Sequence, residues 1–196
     1  MVPDGLWEIA KPLIPPAGVR PQGGGVANID DEAVFAAIIY VLVSGCAWRA
    51  LPPCFGALKS TVHRRFVIWS RAGVWGRLHQ KVLQLLDKKG PVDLSRAVLD
   101  SAHVRAKKGG ERAGPSPVDR GKPGSGKRIG VRIARKGIDS SERLGRRRWV
   151  IERTMSWLTG YRRLNHRYER KPGNYLAFLG LVAAFCCYKR LLELTM

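Results

Sequence analysis

Residues 59–71 read Lys59-Ser-Thr-Val-His-Arg-Arg-Phe-Val-Ile-Trp-Ser-Arg71. Three apolar residues recur at the i, i+4, i+7 spacing of the buried stripe of an amphipathic helix: Val62, Phe66 and Trp69. The opposite side of the helical wheel is polar and carries Ser60, Arg64 and Arg71, with Arg65 on its flank. The stretch therefore predicts a helix capped at Ser60, with one apolar and one cationic side.

The residues on either side predict two more helices. Asp30 can cap a helix that is apolar nearly all round from Ala33 to Ser44, and Gly45 is a plausible stop. After the turn-rich Leu51–Gly56, the helix of residues 59–71 would be the second of a helix-turn-helix pair, with its arginines exposed. The competing interpretation is an ordinary solvated cationic face. The third helix, Trp75–Lys88, would bury one side made of Trp75, Leu78, Val82, Leu85 and Leu86.

The charge of the chain points to a polyanionic partner. Thirty-five Lys and Arg against 15 Asp and Glu give a net charge of +20 over 196 residues. Of the basic residues, 21 lie between Arg105 and Lys171, together with only six acidic ones. A chain this basic typically binds DNA or RNA, the alternative being a basic but inert surface.

Cysteines and apolar runs indicate a cytoplasmic protein outside the membrane. Four cysteines form no CxxC pair and no zinc-like spacing with histidine, so we expect reduced, mostly buried thiols. We expect no signal peptide, because residues 1–5 carry no basic region leading into an apolar one. The apolar runs Ala33–Trp48 and Phe178–Tyr188 fall short of the roughly 20 residues of a membrane span and predict buried helices.

Beyond residue 90 the pattern changes to short apolar runs separated by basic loops. Ala97–Val104 predicts a buried strand with Asp100 at its exposed end, Val131–Ala134 predicts a second strand, and Lys107–Gly126 predicts a loop. A helix over Val150–Thr159 would turn Ile151, Met155 and Leu158 inward, with Glu152 at the border of that face. Asn174 can cap a last buried helix that ends near Leu194.

Asp100 and Glu152 are the carboxylates that suggest chemistry. A two-metal phosphoryl-transfer site needs several carboxylates, because two hard cations sit about 3.5–4 Å apart and require anionic oxygen ligands. Each residue also has an ordinary explanation. Asp100 can cap a turn, and Glu152 can pair with Arg148 one helical turn earlier.

Two long motifs resemble the insertion-sequence-five family of bacterial transposases. Val98-Leu-Asp-Ser-Ala-His-Val-Arg-Ala106 is similar to the strand that carries the first Asp of the family's DDE triad, which falls on Asp100. Gly145-Arg-Arg-Arg-Trp-Val-Ile-Glu-Arg-Thr-Met-Ser-Trp-Leu158 is similar to the helix that carries the final Glu, which falls on Glu152. The resemblance continues through Leu6-Trp7-Glu8, Leu13-Ile14-Pro15, Phe35–Leu51 with Pro52, Tyr161-Arg-Arg-Leu164, Arg167-Tyr-Glu-Arg170 and the last apolar helix.

The resemblance implies an α+β, mostly α fold: a helical, helix-turn-helix-like DNA-binding domain in residues 1–90 and a truncated RNase H-like catalytic remnant in residues 91–196. It implies DNA transposition with Mg²⁺ held by Asp100 and Glu152, and the terminal inverted repeats of an element as partner. The chain would act in the cytoplasm at the nucleoid, as a homo-oligomer or in mixed assembly with full-length transposase. The residues predicted to contact DNA are Ser60, Arg64, Arg65, Arg71, Lys107, Lys108, Arg146, Arg147 and Arg148.

One departure from the family concerns the middle of the catalytic core. About seventy residues that the family carries between its Gly-Lys-Pro-Gly-Ser and Arg-Ile-Ala-Arg stretches are missing, because here Gly121–Ser125 is followed almost at once by Arg132–Arg135. That part normally holds the second Asp, and with it gone the two remaining strands would pair directly or not at all. Three functions compete: a DDE transposase, a catalytically dead DNA-binding remnant that regulates full-length transposase, and a decayed product without a role.

Overall fold

A computed structural model describes residues 2–16, 29–90, 104–107, 109–111, 114–115, 123–125 and 153–195. The first described segment forms α1 (Leu6–Ala10) and a 3₁₀ turn (Lys11–Leu13). Three longer helices follow: α2 (Asp31–Ser44), α3 (Lys59–Arg71) and α4 (Val74–Lys89). Two short helices, α5 (153–159) and α6 (Arg162–Asn165), precede α7 (Pro172–Glu193).

The ends of α2 confirm what the sequence predicted. The Asp30 carboxylate accepts hydrogen bonds from the backbone N–H groups of Glu32 (3.3 Å) and Ala33 (3.4 Å), and so caps the first turn. Gly45 ends the helix in the left-handed conformation, with φ 68°. A Cβ at Gly45 would lie 2.7 Å from Cβ of Arg162 in α6, so glycine also permits the close approach of these two elements.

The bounds of α3 agree with the prediction, but its cap does not. Leu58 occupies the N-cap position and no side chain caps the helix, so the predicted capping role of Ser60 is wrong. The connection from α2 is also longer than expected, running from Gly45 to Leu58 through 3₁₀ turns at Trp48–Ala50 and Pro53–Phe55. The short turn lies after α3 instead, where Gly73 (φ 71°) leads into α4.

Aromatic side chains from four elements form the centre of the core. Phe66 of α3 stacks on Phe178 of α7 with ring centroids 4.4 Å apart, and Trp48 and Trp75 lie 5.3 and 6.0 Å from Phe66. The predicted stripe of α3 is fully buried. The indole N–H of Trp75 donates to the Ser70 hydroxyl at 2.9 Å, which satisfies its polar edge.

Helix α7 completes the core by packing along α4. Gly180 faces Trp75, and an added Cβ would lie 3.6 Å from the Trp75 Cβ, an ordinary contact distance. The helix begins at Pro172 with Lys171 at the N-cap, so Asn174 does not cap it, while its end at Glu193 agrees with the prediction. At 22 residues and a mean hydropathy of 1.5, it is long and apolar enough to cross a membrane, unlike the shorter run that predicted it. Helices buried in the core of a protein can have the same length and hydropathy, and α7 is packed into the core.

Four very short strands form a small sheet in the order β2-β3-β1-β4. They are β1 (Val104–Ala106), β2 (Gly114–Pro115), β3 (Pro123–Ser125) and β4 (His166–Arg167). β1 is antiparallel to β3 and parallel to β4. The expectation of loop alone between Lys107 and Gly126 is therefore wrong. Residues 97–103 and 131–134 of the two predicted strands lie outside the described residues.

The described fold is mostly helical with little strand, as predicted. Its core includes Leu6, Phe35, Trp69, Phe178 and Leu181, and thus joins the helices of residues 6–89 to α7. The RNase H-like remnant and the domain division at residue 90 stay predictions.

Candidate nucleic-acid interface

The outer face of α3 carries the cationic side chains that the helical wheel predicted. Ser60, Arg64 and Arg71 are exposed. Ile68, one turn after Arg64, is 44% exposed and gives this face an apolar element as well. Because the opposite side of α3 is held by the buried stripe, the exposed face has a fixed orientation relative to the core.

Arg65 differs from its neighbour Arg64. It is 8% exposed, and its guanidinium lies 3.4 Å from the Asp31 carboxylate at the start of α2. The prediction that it lies on the exposed flank of the helix is wrong, because a carboxylate from another helix draws it inward. Arg65 ties α3 to α2 and does not add to the exposed cationic face.

A groove of about 580 Å³ opens between α3 and the segment that leads into α7. Its α3 wall is made by His63, Arg64, Val67, Ile68 and Arg71, and its second wall by Tyr168, Glu169, Arg170, Lys171 and Asn174. Four of these side chains are cationic at neutral pH: Arg64, Arg71, Arg170 and Lys171. Within the described part of the chain, none of the four forms an ion pair, so no described carboxylate compensates their charges.

Buried Arg167 holds the second wall of the groove in shape. It is 4% exposed, and its guanidinium donates to the carbonyl oxygens of Glu169 (2.9 Å), Arg170 (2.7 Å) and Glu111 (2.6 Å). Main-chain bonds add to this, since the N–H of Glu111 donates to the Arg170 carbonyl at 3.1 Å. A Cβ at Gly110 (φ 117°) would be 2.5 Å from that same oxygen, so the strand-like segment can approach only with glycine here.

A second buried arginine, Arg163, neutralises Glu169, an acidic residue that lines the groove. Arg163, 3% exposed, pairs with Glu169, 7% exposed, and also donates to the Cys46 carbonyl at 2.7 Å. Its guanidinium lies over the rings of Trp48, Tyr168 and Phe178, at 5.6, 5.0 and 5.5 Å from their centroids. These contacts compensate the charge of Glu169 internally.

Sequence reasoning missed the roles of Arg163 and Arg167, which entered it only through the count of basic residues between Arg105 and Lys171. The available signal was the Arg167-Tyr-Glu-Arg170 stretch, in which an aromatic residue and an acid lie between two arginines three positions apart. That pattern is compatible with a strand whose arginines point alternately inward and outward. In the structure Arg167 is buried and Arg170 is exposed.

Of the other residues predicted to contact DNA, Lys107 is exposed, and its ammonium lies 5.4 Å from the Tyr168 ring centroid at the edge of the groove. Lys108 and Arg146–Arg148 lie outside the described residues. So do Asp100 and Glu152, so the structure does not show whether these two carboxylates meet. In the ranges that the structure does describe, no group of three or more His, Cys, Asp or Glu could hold a metal ion.

A smaller pocket of about 230 Å³ lies between α5 and α7, lined by Arg153, Trp157, Tyr161, Cys186, Lys189, Arg190 and Glu193. Arg153 lies 4.5 Å from the centroid of the half-exposed Trp157 ring. Burial, with the nearby Cys186, raises the pKa of Tyr161 to about 12, and burial also raises the pKa of both Cys186 and Cys187. The four cysteines are free: Cys46, Cys186 and Cys187 are partly buried against the core, whereas Cys54 is exposed and departs from the expectation of mostly buried thiols.

Fold and surface define a small basic helical protein, and comparison with known families gives its class. Residues 2–79 match a family model described as "Putative transposase of IS4/5 family". Residues 122–187 match one described as "Transposase DDE domain", a domain class that generally uses divalent metal ions. Neither match covers residues 80–121, which include the second part of α4 and the strands β1 and β2.

Two proteins of Burkholderia cepacia are similar to this chain. "Insertion element IS402 uncharacterized 16.2 kDa protein" is 36% identical over 119 residues, which cover 60% of this chain and 81% of that protein. "Putative transposase for insertion sequence element IS402" is 41% identical over 59 residues, 30% of this chain and 28% of that protein. No solved structure matches. The chain belongs to the IS4/5 family of insertion-sequence transposases, as its motifs indicated, although it spans only about a quarter of the second relative.

Proposed function

We propose that the chain binds duplex DNA at the terminal inverted repeats of an insertion element through the exposed cationic face of α3. The single observation that carries this proposal is the two-sided α3, with Arg64 and Arg71 exposed and Phe66 and Trp69 fully buried. A rigid helix of this kind fits the major groove, as the second helix of a helix-turn-helix does.

Each side chain of the α3 face suits a separate contact. A guanidinium binds the O6 and N7 acceptors of guanine in a bidentate manner, so Arg64 would read a base edge. Ser60 and Arg71, near the two ends of the helix, would contact phosphate oxygens. Exposed Ile68 would contact the methyl group of thymine. Lys107, Lys108 and Arg146–Arg148 would add phosphate contacts.

We further propose that this copy does not cleave or join DNA efficiently. The short Ser125–Arg132 junction leaves no place for the strand that bears the second Asp of the family. Mg²⁺ is the ion that Asp100 and Glu152 would bind, but one missing anionic ligand weakens the hold on two mutually repelling cations. A loop carboxylate such as Asp119 or Asp139 is a poor substitute, since displacement by about 1 Å can cost roughly 10²-fold in rate.

A DNA-binding chain without efficient catalysis would act as a regulator. It would occupy element ends, or enter mixed assemblies with full-length transposase, at the nucleoid in the cytoplasm. The competing function is an active transposase, favoured by the match of residues 122–187 to the DDE domain.

A labelled duplex with the inverted-repeat sequence tests both DNA binding by α3 and the lack of efficient cleavage. Fluorescence polarisation should show an affinity that falls steeply between about 50 and 200 mM salt, because each neutralised phosphate contributes a slope of about 0.9 in log K against log salt. An affinity that does not change with salt contradicts DNA binding by this surface.

The same duplex, incubated with Mg²⁺ or Mn²⁺ and resolved on a denaturing gel, should remain uncut. Asp100→Ala and Glu152→Ala are the controls. Metal-dependent products from the unmodified chain that disappear in both variants would establish an active enzyme and overturn the second part of the proposal.

A further inference from the structure

We infer that the DNA-binding surface is composite: the groove between α3 and residues 168–174 holds the phosphate backbone of the duplex that α3 reads. This inference deepens the proposed function and rests on it. Arg170 and Lys171, 100 residues along the chain from α3, form the second half of one binding surface.

Charge complementarity identifies the occupant. Arg64 and Arg71 face the groove from α3, and Arg170 and Lys171 face it from the other wall. Glu169 also lines the groove, but its carboxylate is paired with buried Arg163, so it subtracts little from the positive potential. Two cationic walls around one groove suit a polyanion that runs along it, and a nucleic-acid backbone carries such evenly spaced charge.

The apolar floor of the groove favours the sugar-phosphate backbone over a free phosphate ion. Val67 lines it beside the ring of Tyr168, and these surfaces suit deoxyribose carbon atoms. The groove also opens at the start of α7, where the first turn carries no acidic residue and the helix dipole is favourable to anions.

The second wall is preorganised, so binding need not order it. Arg167 ties the carbonyl oxygens of Glu169, Arg170 and Glu111 together, while β4 pairs with β1. The side chains of Arg170 and Lys171 project from this fixed backbone and are exposed. Removing those two side chains therefore leaves intact the carbonyl contacts that hold the wall.

The test compares the full-length double variant Arg170→Ala/Lys171→Ala with the charge-matched Lys81→Ala/Lys88→Ala, whose exposed side chains lie on α4 outside the groove. The probe is the labelled inverted-repeat duplex, with a random duplex and the single strand alongside. The groove variant should bind both duplexes at least about fivefold more weakly near 0.15 M salt, with a salt slope lower by about two. The α4 variant should change the slope by less than half as much.

The outcomes separate the composite groove from the proposed function. If the unmodified chain fails to bind duplex DNA, the proposed function falls and the inference with it. If the unmodified chain binds and Arg64→Ala weakens it, but the groove variant equals the α4 variant, the composite groove alone is refuted. A loss confined to the single strand would refute the duplex as occupant. Unchanged thermal melting of both variants verifies that folding does not explain the result.

Discussion

Two pairs of consecutive arginines, in distant parts of the chain, each contain one exposed and one buried side chain. Arg64 is exposed and Arg65 is buried in α3, while Arg162 is exposed and Arg163 is buried at α6. In each pair one side chain faces solvent and the next one binds a carboxylate from elsewhere in the fold. A count of basic residues therefore overstates the cationic surface of this protein.

The two buried arginines are not equally buried, and the difference decides what each contributes. The side chains of Arg65 and Asp31 are 10% and 30% exposed; Asp31 Oδ1, the atom that faces Arg65, is itself buried and accepts no hydrogen bond from the described residues. The side chains of Arg163 and Glu169 are 3% and 8% exposed, with a hydrogen bond between them. In the first pair the Asp31 side chain remains partly solvated, whereas the second pair lies in the interior, where loss of one partner leaves a charge without compensation.

The largest effect is expected from breaking the interior pair. Glu169→Gln should lower the free energy of unfolding by about 3–5 kcal/mol, because Arg163 would remain buried without a counter-charge. Urea denaturation followed by circular dichroism measures this. A loss below about 1 kcal/mol would mean that the aromatic rings around Arg163, or water, are sufficient to solvate it.

An intermediate effect is expected on DNA binding alone, and it should distinguish the exposed arginines Arg64 and Arg162. Arg64→Ala should weaken binding to the inverted repeat by roughly 1–3 kcal/mol and binding to random duplex much less, because a bidentate base contact is lost. Arg162→Ala, which also removes one exposed guanidinium but lies outside the groove, is the matched control. Equal losses on the two duplexes would mean that Arg64 contacts phosphate only.

The smallest effect is expected at the partly solvated pair. Asp31→Asn should lower the free energy of unfolding by no more than about 1 kcal/mol, since Asp30 keeps the helix cap and solvent reaches the pair. Thermal melting in parallel with Glu169→Gln gives the comparison directly. Similar destabilisation by the two substitutions would show that solvent exposure does not separate them.

Sequence patterns predicted the helices well because their signals are local. The i, i+4, i+7 stripe of α3, the Asp30 cap and the Gly45 stop each involve residues within a few positions of one another. The exposure of Arg65 was predicted wrongly because its partner, Asp31, lies in α2, and a helical wheel of α3 contains no information about other helices. The pairing of Gly114–Pro115 with Pro123–Ser125 was missed because it rests on backbone bonds in a stretch with few apolar residues.

The candidate site could be predicted only in part, for the same reason. The exposed α3 arginines follow from periodicity, but the second wall of the groove depends on where the chain returns after 100 residues. The carbonyl contacts of Arg167 have no counterpart in any residue pattern. Asp100 and Glu152 were singled out by their positions in a predicted strand and helix and assigned to the DDE triad by motif resemblance, and they stay predictions because both lie outside the described residues.

The position of α7 has a consequence for how this protein is made in the cell. Phe178 lies at the centre of the aromatic core, and the Tyr188 hydroxyl donates to the Asp4 carbonyl at 2.5 Å, joining the two ends of the chain. The helices of residues 31–89 emerge first from the ribosome, but their apolar faces stay uncovered until α7 follows. A nascent chain stopped by a nonsense codon before residue 172 would leave the α7-facing sides of Phe66 and Trp75 uncovered, and cellular proteases would remove it. Such alleles would therefore behave as null alleles, even though every residue of α3 is encoded.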